Sequence, residues 1–70
     1  MMTMDEARLE AHRRWFASLP MNRGCVWHTA SGRRAVGFTD GEFRYAMGTG
    51  DTWEEAFADA AERMAKHERR

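Results

Sequence analysis

Asp40-Gly41, set between two runs of β-forming residues, restricts this chain more than any other feature. Asp-Gly is a strong hairpin signal, because a two-residue type I′ turn needs φ > 0 at both central positions. Ser31-Gly32 marks a second bend of the same kind. If both loops have two residues, the register of three short strands follows. Phe38 then faces Phe43, Val36 faces Tyr45 and Arg34 faces Met47, while Trp27 faces Val36 and Cys25 faces Phe38. One side of the sheet becomes Cys25, Trp27, Val36, Phe38, Phe43, Tyr45 and Met47, the predicted core. The other becomes Val26, His28, Ala30, Arg33, Ala35, Gly37, Glu42, Arg44 and Ala46. A slip of one residue exchanges the two sides, so the pairing is the step on which the rest depends.

The flanks read as helices. Thr3-Met4-Asp5-Glu6 is a capping box, in which the hydroxyl takes the N3 amide and the carboxylate reaches back. Leu9, His12, Phe16 and Leu19 recur at helical spacing with Trp15 beside them, and Pro20 cannot continue the helix, which predicts helix one over about residues 4–19. Thr52 with Glu55 is a second capping box. Behind it Trp53, Ala56, Phe57, Ala60, Ala61 and Met64 form one apolar stripe. Acids at the start of this helix and bases at its end suit the helix dipole. The fold expected is α+β, a three-stranded antiparallel meander with two helices packed on one face, in the order α-β-β-β-α. With 70 residues there is room for a single domain, 1–70.

Composition excludes several classes of function. Eleven basic and eleven acidic residues leave no net charge, whereas a general nucleic-acid binder shows a basic excess. No apolar run is long enough to span a bilayer. The N-terminal segment carries Asp5 and Glu6 and lacks an apolar signal core, and the single Cys25 can form no internal disulfide, so a cytoplasmic setting is expected. Cys25-x-x-His28 is half of a metal motif, but residues three apart on a strand point to opposite faces, so neither a metal site nor a Cys–His nucleophile pair is expected. Gly48-Thr49-Gly50-Asp51-Thr52 approaches a helix start as phosphate loops do. Asp51, Glu54 and Glu55 would repel an anion there, and the segment reads as a tight strand-to-helix turn. No catalytic residue, cofactor or enzymatic activity is expected.

The element order resembles the double-stranded-RNA-binding domain, as does the segment from Gly48 to Ala61. That family closes on G-x-G-x-S-K-K-x-A-K-x-x-A-A, and Gly48, Gly50, Thr52, Ala56, Ala60 and Ala61 stand in place. The resemblance implies the fold. The three lysine positions that hold RNA phosphates in the family carry Trp53, Glu54 and Phe57 here, and the Gly-Pro-x-His loop is replaced by Ser31-Gly32. The resemblance therefore argues for the architecture and against the family's RNA binding. Gly50-Asp51-Thr52-x-Glu54-Glu55-Ala56 is also similar to HicB-type antitoxins, which place such a helix after a small sheet.

The outer sheet side is rich in small residues. Ala35, Ala46 and Gly37 lie between His28, Arg33 and Arg44, a flat platform for another protein or a second copy, and a glycine inside a strand often marks close approach by a neighbouring backbone. Glu54, Glu55, Asp59 and Glu62 give helix two an acidic face. The candidate partner-binding residues are therefore His28, Arg33, Ala35, Arg44, Ala46, Glu54, Glu55, Asp59 and Glu62. They point to a non-enzymatic protein-interaction module, a phage or mobile-element accessory protein that inhibits or modulates a host machine in the manner of anti-CRISPR proteins. A homodimer through the outer face or an edge strand is another form of association. The competing expectation is a nucleic-acid-binding or antitoxin-like regulator using Arg13, Arg14, Arg33, Arg34 and Arg44.

Overall fold

The computed structural model describes residues 1–15 and 23–68. The chain runs α1 (Met4–Trp15), β1 (Arg23–His28), β2 (Arg34–Thr39), β3 (Arg44–Gly50) and α2 (Trp53–Glu68). The strands form one antiparallel sheet in the order β1-β2-β3. Both helices pack on one side of it, α1 chiefly over β1 and α2 chiefly over β3. The α+β architecture, in the order α-β-β-β-α, is as the sequence predicts. Residues 16–19 of the longer first helix, with Phe16 and Leu19, lie outside the described residues. Among the described residues no helix is long and apolar enough to cross a membrane.

The capping box at α1 forms in full, and at α2 the hydroxyl cap forms while the carboxylate reaches one residue further back. The Glu6 amide donates to the Thr3 hydroxyl at 3.2 Å, and the Thr3 amide donates to the Glu6 carboxylate at 2.9 Å. That returned bond holds the Glu6 carboxyl below its ordinary pKa. At α2 the Glu55 amide donates to the Thr52 hydroxyl at 3.1 Å, while the Glu55 carboxylate accepts from the Asp51 amide at 3.3 Å. Removing the α2 cap with Thr52→Ala should cost about 1 kcal/mol, the usual value for a lost N-cap. For a domain this size that is a fall of roughly 4–8 °C in Tm. A thermal melt checks it, with Thr52→Ser expected to stay near wild type.

The first bend differs from the expected one, and β1 changes sides as a result. The Thr29 amide donates to the Arg33 carbonyl at 2.8 Å and the Gly32 amide to the Thr29 carbonyl at 2.9 Å. Gly32 has φ +84°. The loop is thus the three residues Ala30, Ser31 and Gly32, with glycine in the left-handed position that such loops need. One extra loop residue moves the pairing by one, so Val26 faces Val36, Trp27 faces Ala35 and Cys25 faces Gly37. Cys25 and Trp27, predicted in the core, lie on the outer side. Val26 packs on the core, and His28, still exposed, meets Trp53 on the helix side.

The second bend has two residues, as expected, but they are Gly41 and Glu42. The strand ladder ends at Thr39 and Arg44, and the Asp40 amide closes the bend by donating to the Phe43 carbonyl at 3.3 Å. The Asp40 carboxylate accepts the Glu42 and Phe43 amides at 2.9 Å and the Tyr45 hydroxyl at 3.1 Å. Those amides hold the Asp40 carboxyl below its usual range, and the bond to Asp40 pushes the Tyr45 phenol up. Phe38 therefore faces Tyr45 instead of Phe43. A shift of two keeps Phe38, Tyr45 and Ala46 on their predicted faces. Beyond a bulge at Val36/Gly37 the shift is three, so Val36 faces Gly48 instead of Tyr45 and Arg34 faces Gly50 instead of Met47.

The core is built from small residues. Ala7, Ala11, Val36, Trp53, Ala56, Phe57 and Ala60 are buried together, with Met2, Trp15, Val26 and Met47 at the margin. Trp15 stacks on Phe57 with ring centroids 6.0 Å apart. On α1 the inward positions are Ala7 and Ala11. Leu9, predicted inward, is 72% exposed, and His12 also faces outward. On α2 the buried stripe ends at Ala60, so Ala61 and Met64 are exposed where the sequence predicted burial. Phe43 and Tyr45 are exposed as well, at 61% and 43%, on a hairpin end that neither helix covers.

Candidate interaction surface

The register sets out the outer side of the sheet in rows. Arg23, Thr39 and Arg44 share one row across β1, β2 and β3; Cys25, Gly37 and Ala46 share the next; Trp27, Ala35 and Thr49 share the third. Arg33 pairs with Asp51 at 3.4 Å at the far end. The Arg44 guanidinium lies 5.4 Å from the centre of the Trp27 ring. That contact spans the sheet diagonally, which places the indole over the small middle rows. It explains why Ala35 is 1% exposed and Gly37 is buried although no helix lies on this side. Cys25 is half-buried in the same layer. Burial pushes its thiol pKa up, against the opposing pull of the Arg44 charge.

Several predicted contact residues change role in this geometry. Ala35 is floor under Trp27, so it offers no contact surface. His28 is on the helix side of the sheet, with its ring edge-on to Trp53 at 5.4 Å, so it does not join Arg33 and Arg44. Gly37 does mark a close backbone approach, but the backbone is the protein's own. A β-bulge between Val36 and Gly37 brings the Tyr45 carbonyl to where a Cβ would stand. Arg33, Arg44 and Ala46 are exposed on the outer side, as predicted. Trp27 and Arg23 belong to this surface and were not among the predicted contact residues. The three-residue loop is what turns them outward.

The acidic face of α2 is tied into the fold. Glu54 accepts the Met2 amide at 2.9 Å, which holds its carboxyl below the ordinary value. Glu55 serves the helix start, as above. Asp59 accepts the Thr49 amide at 3.0 Å and pairs with Arg63 at 3.0 Å, and Glu62 pairs with Lys66 at 3.6 Å. The Asp59 bond has a second consequence. It occupies an outward amide of β3, a strand at the edge of the sheet, and so blunts that edge against pairing with another chain.

The arginines divide in the same way. Arg8 pairs with Asp5 at 3.6 Å, and Arg13 and Arg14 share Glu10, whose carboxyl those two bonds hold low. Arg34 donates to the Asp51 carbonyl and lies 5.5 Å from the centre of the Trp53 ring. Among the described lysines and arginines, Arg23 and Arg44 alone have neither a carboxylate nor a carbonyl partner, and they stand in one row. Cys25 and His28 point to opposite sides. No group of three His, Cys, Asp or Glu side chains among the described residues could hold a metal ion. Comparison with protein-family models, with curated proteins and with solved structures gives no match.

Proposed function

We propose that this chain is a non-enzymatic protein-interaction module, a small accessory protein of the phage or mobile-element kind that modulates a larger machine by occupying part of its surface. The observation that carries the reading is the row of Arg23 and Arg44, two exposed and unneutralised guanidinium groups on the side of the sheet opposite both helices. Long charged side chains left without partners on a rigid sheet are suited to meeting charge on another molecule.

The nucleic-acid alternative has less support. Of its five arginines, Arg13, Arg14 and Arg33 are already paired with carboxylates and Arg34 is held by Asp51 and Trp53. Two of the three positions that are lysines in double-stranded-RNA-binding domains, Trp53 and Phe57, are 5% and 4% exposed here and serve the core. The test is capture from a host lysate on immobilised protein, with and without nuclease. A protein retained after nuclease treatment is the expected result. Capture that disappears with nuclease, together with tight binding of duplex RNA by the purified chain, overturns the reading.

A further inference from the structure

We infer that the Arg23–Thr39–Arg44 row is a docking site for an acidic protein segment, an inference that rests on the interaction-module reading and names the chemistry of its partner. The two arginines stand on β1 and β3 with β2 between them. At the usual strand spacing their backbones are about 10 Å apart. Thr39, between them, brings no charge, and its hydroxyl is occupied in the turn, donating to the Phe43 carbonyl at 2.7 Å and accepting the Gly41 amide at 3.1 Å. In the next row, Cys25 and Gly37 are covered and Ala46 is exposed, so the open part of this side is the arginine row and Ala46 beside it. Arg44 is further constrained by the Trp27 ring beneath it. A guanidinium already held loses less freedom on binding, and its planar fork matches a carboxylate through two parallel hydrogen bonds.

Two observations select a carboxylate-bearing protein over a polynucleotide. Proteins that bind single strands stack bases on free aromatic faces. Here Trp27 is the aromatic residue of the outer rows, and Arg44 lies against its ring. Two unpaired cations would neutralise about two phosphates. The salt dependence is then a slope of only about −2, far short of what sustains non-specific nucleic-acid binding. The acids of α2 sit on the helix side of the sheet. Of the two acids in the turn beside the row, Asp40 is engaged by the Glu42 and Phe43 amides and the Tyr45 hydroxyl, and Glu42 is exposed.

The test is a titration of isotope-labelled protein, followed by NMR, with a short polyglutamate peptide and, separately, a thymidine oligonucleotide of equal charge. The peptide should shift the amide signals of Arg23, Thr39, Arg44 and Ala46 saturably. Arg44→Glu should weaken its binding by about tenfold or more, the effect of roughly 1.4 kcal/mol. Arg44→Lys should give an intermediate loss, because a lysine cannot reproduce the stacked fork. Arg8→Glu, a reversal on α1 on the other side of the molecule, should change nothing. Both arginines at the row are exposed, so the reversals leave the fold intact. Shifts that map elsewhere, full binding by Arg44→Glu, or tighter binding of the oligonucleotide overturn the inference. If a lysate protein survives nuclease and Arg44→Glu captures it equally, the interaction-module reading stands and this inference falls.

Discussion

Gly48→Ala should leave the chain without a cooperative thermal transition. Gly48 faces the helices, and a Cβ there would overlap the Ala56 carbonyl oxygen, with the Ala60 amide nitrogen 2.5 Å away. Both obstructions are helix backbone, which has no rotamer to change, so α2 must lift off β3 as a body. Lifting it separates Trp53, Ala56, Phe57 and Ala60 from the sheet together. Ordinary overpacking costs about 1–3 kcal/mol, because side chains absorb part of the strain. Here they cannot, and a chain of this length has only about 3.5–10 kcal/mol of stability to lose. Circular dichroism on heating checks the result. A useful contrast is Gly32→Ala, where nothing lies within 4 Å and the cost is confined to the positive φ, about 1–2 kcal/mol. If Gly48→Ala melts as Gly32→Ala does, the close seat of α2 on β3 is wrong.

The same contact explains why the architecture could be read from the sequence while the core could not. Capping residues, the first turns of the apolar stripe of α2 and glycine-marked bends are local signals. They place the five elements in the right order, although both bends close at a different register from the predicted one. The core depends on which small residues meet. A reading by size puts Leu9, Phe43, Tyr45 and Met64 inside, yet all four are at least 43% exposed. The positions that bring the layers together are glycines opposite alanines: Gly24 against the backbone at Ala11, and Gly48 against Ala56 and Ala60. A ranking by side-chain size places those residues last, although small residues are often fully buried.

The interaction surface was half legible, for a reason of parity. The second hairpin was misplaced by two residues, which preserves faces, so Arg44 and Ala46 lie where they were expected. The first bend is one residue longer than predicted, which exchanges faces and puts Trp27 on the outer side and His28 on the helix side. Ser31-Gly32 is compatible with a two-residue loop and with the end of a three-residue loop. The choice is made by Gly32 taking the left-handed position with Thr29 and Arg33 closing the turn. That is a tertiary preference, favoured because it buries Val26 beside Val36 and leaves Gly24 facing α1.

Trp53→Ala should cost about 3–5 kcal/mol, the range for removing a buried aromatic. Trp53 is 5% exposed and is the first residue of α2, where helix, sheet and N-terminal segment meet. Its ring takes the His28 edge at 5.4 Å and lies under the Arg34 guanidinium at 5.5 Å. The loss therefore exceeds apolar burial. Arg34 Nε is itself buried without a hydrogen-bond partner, so its guanidinium depends on the indole and on the Asp51 carbonyl. Taking the indole away leaves a half-buried charge beside a cavity, the combination that makes core truncations most damaging. Urea unfolding should show the midpoint falling toward zero denaturant, since the expected loss is comparable with the whole stability of a domain this small. The double variant Trp53→Ala with Arg34→Met should recover part of it, because methionine fills space without a charge to solvate. A double variant no more stable than Trp53→Ala alone would show that the cavity, and not the stranded guanidinium, sets the cost.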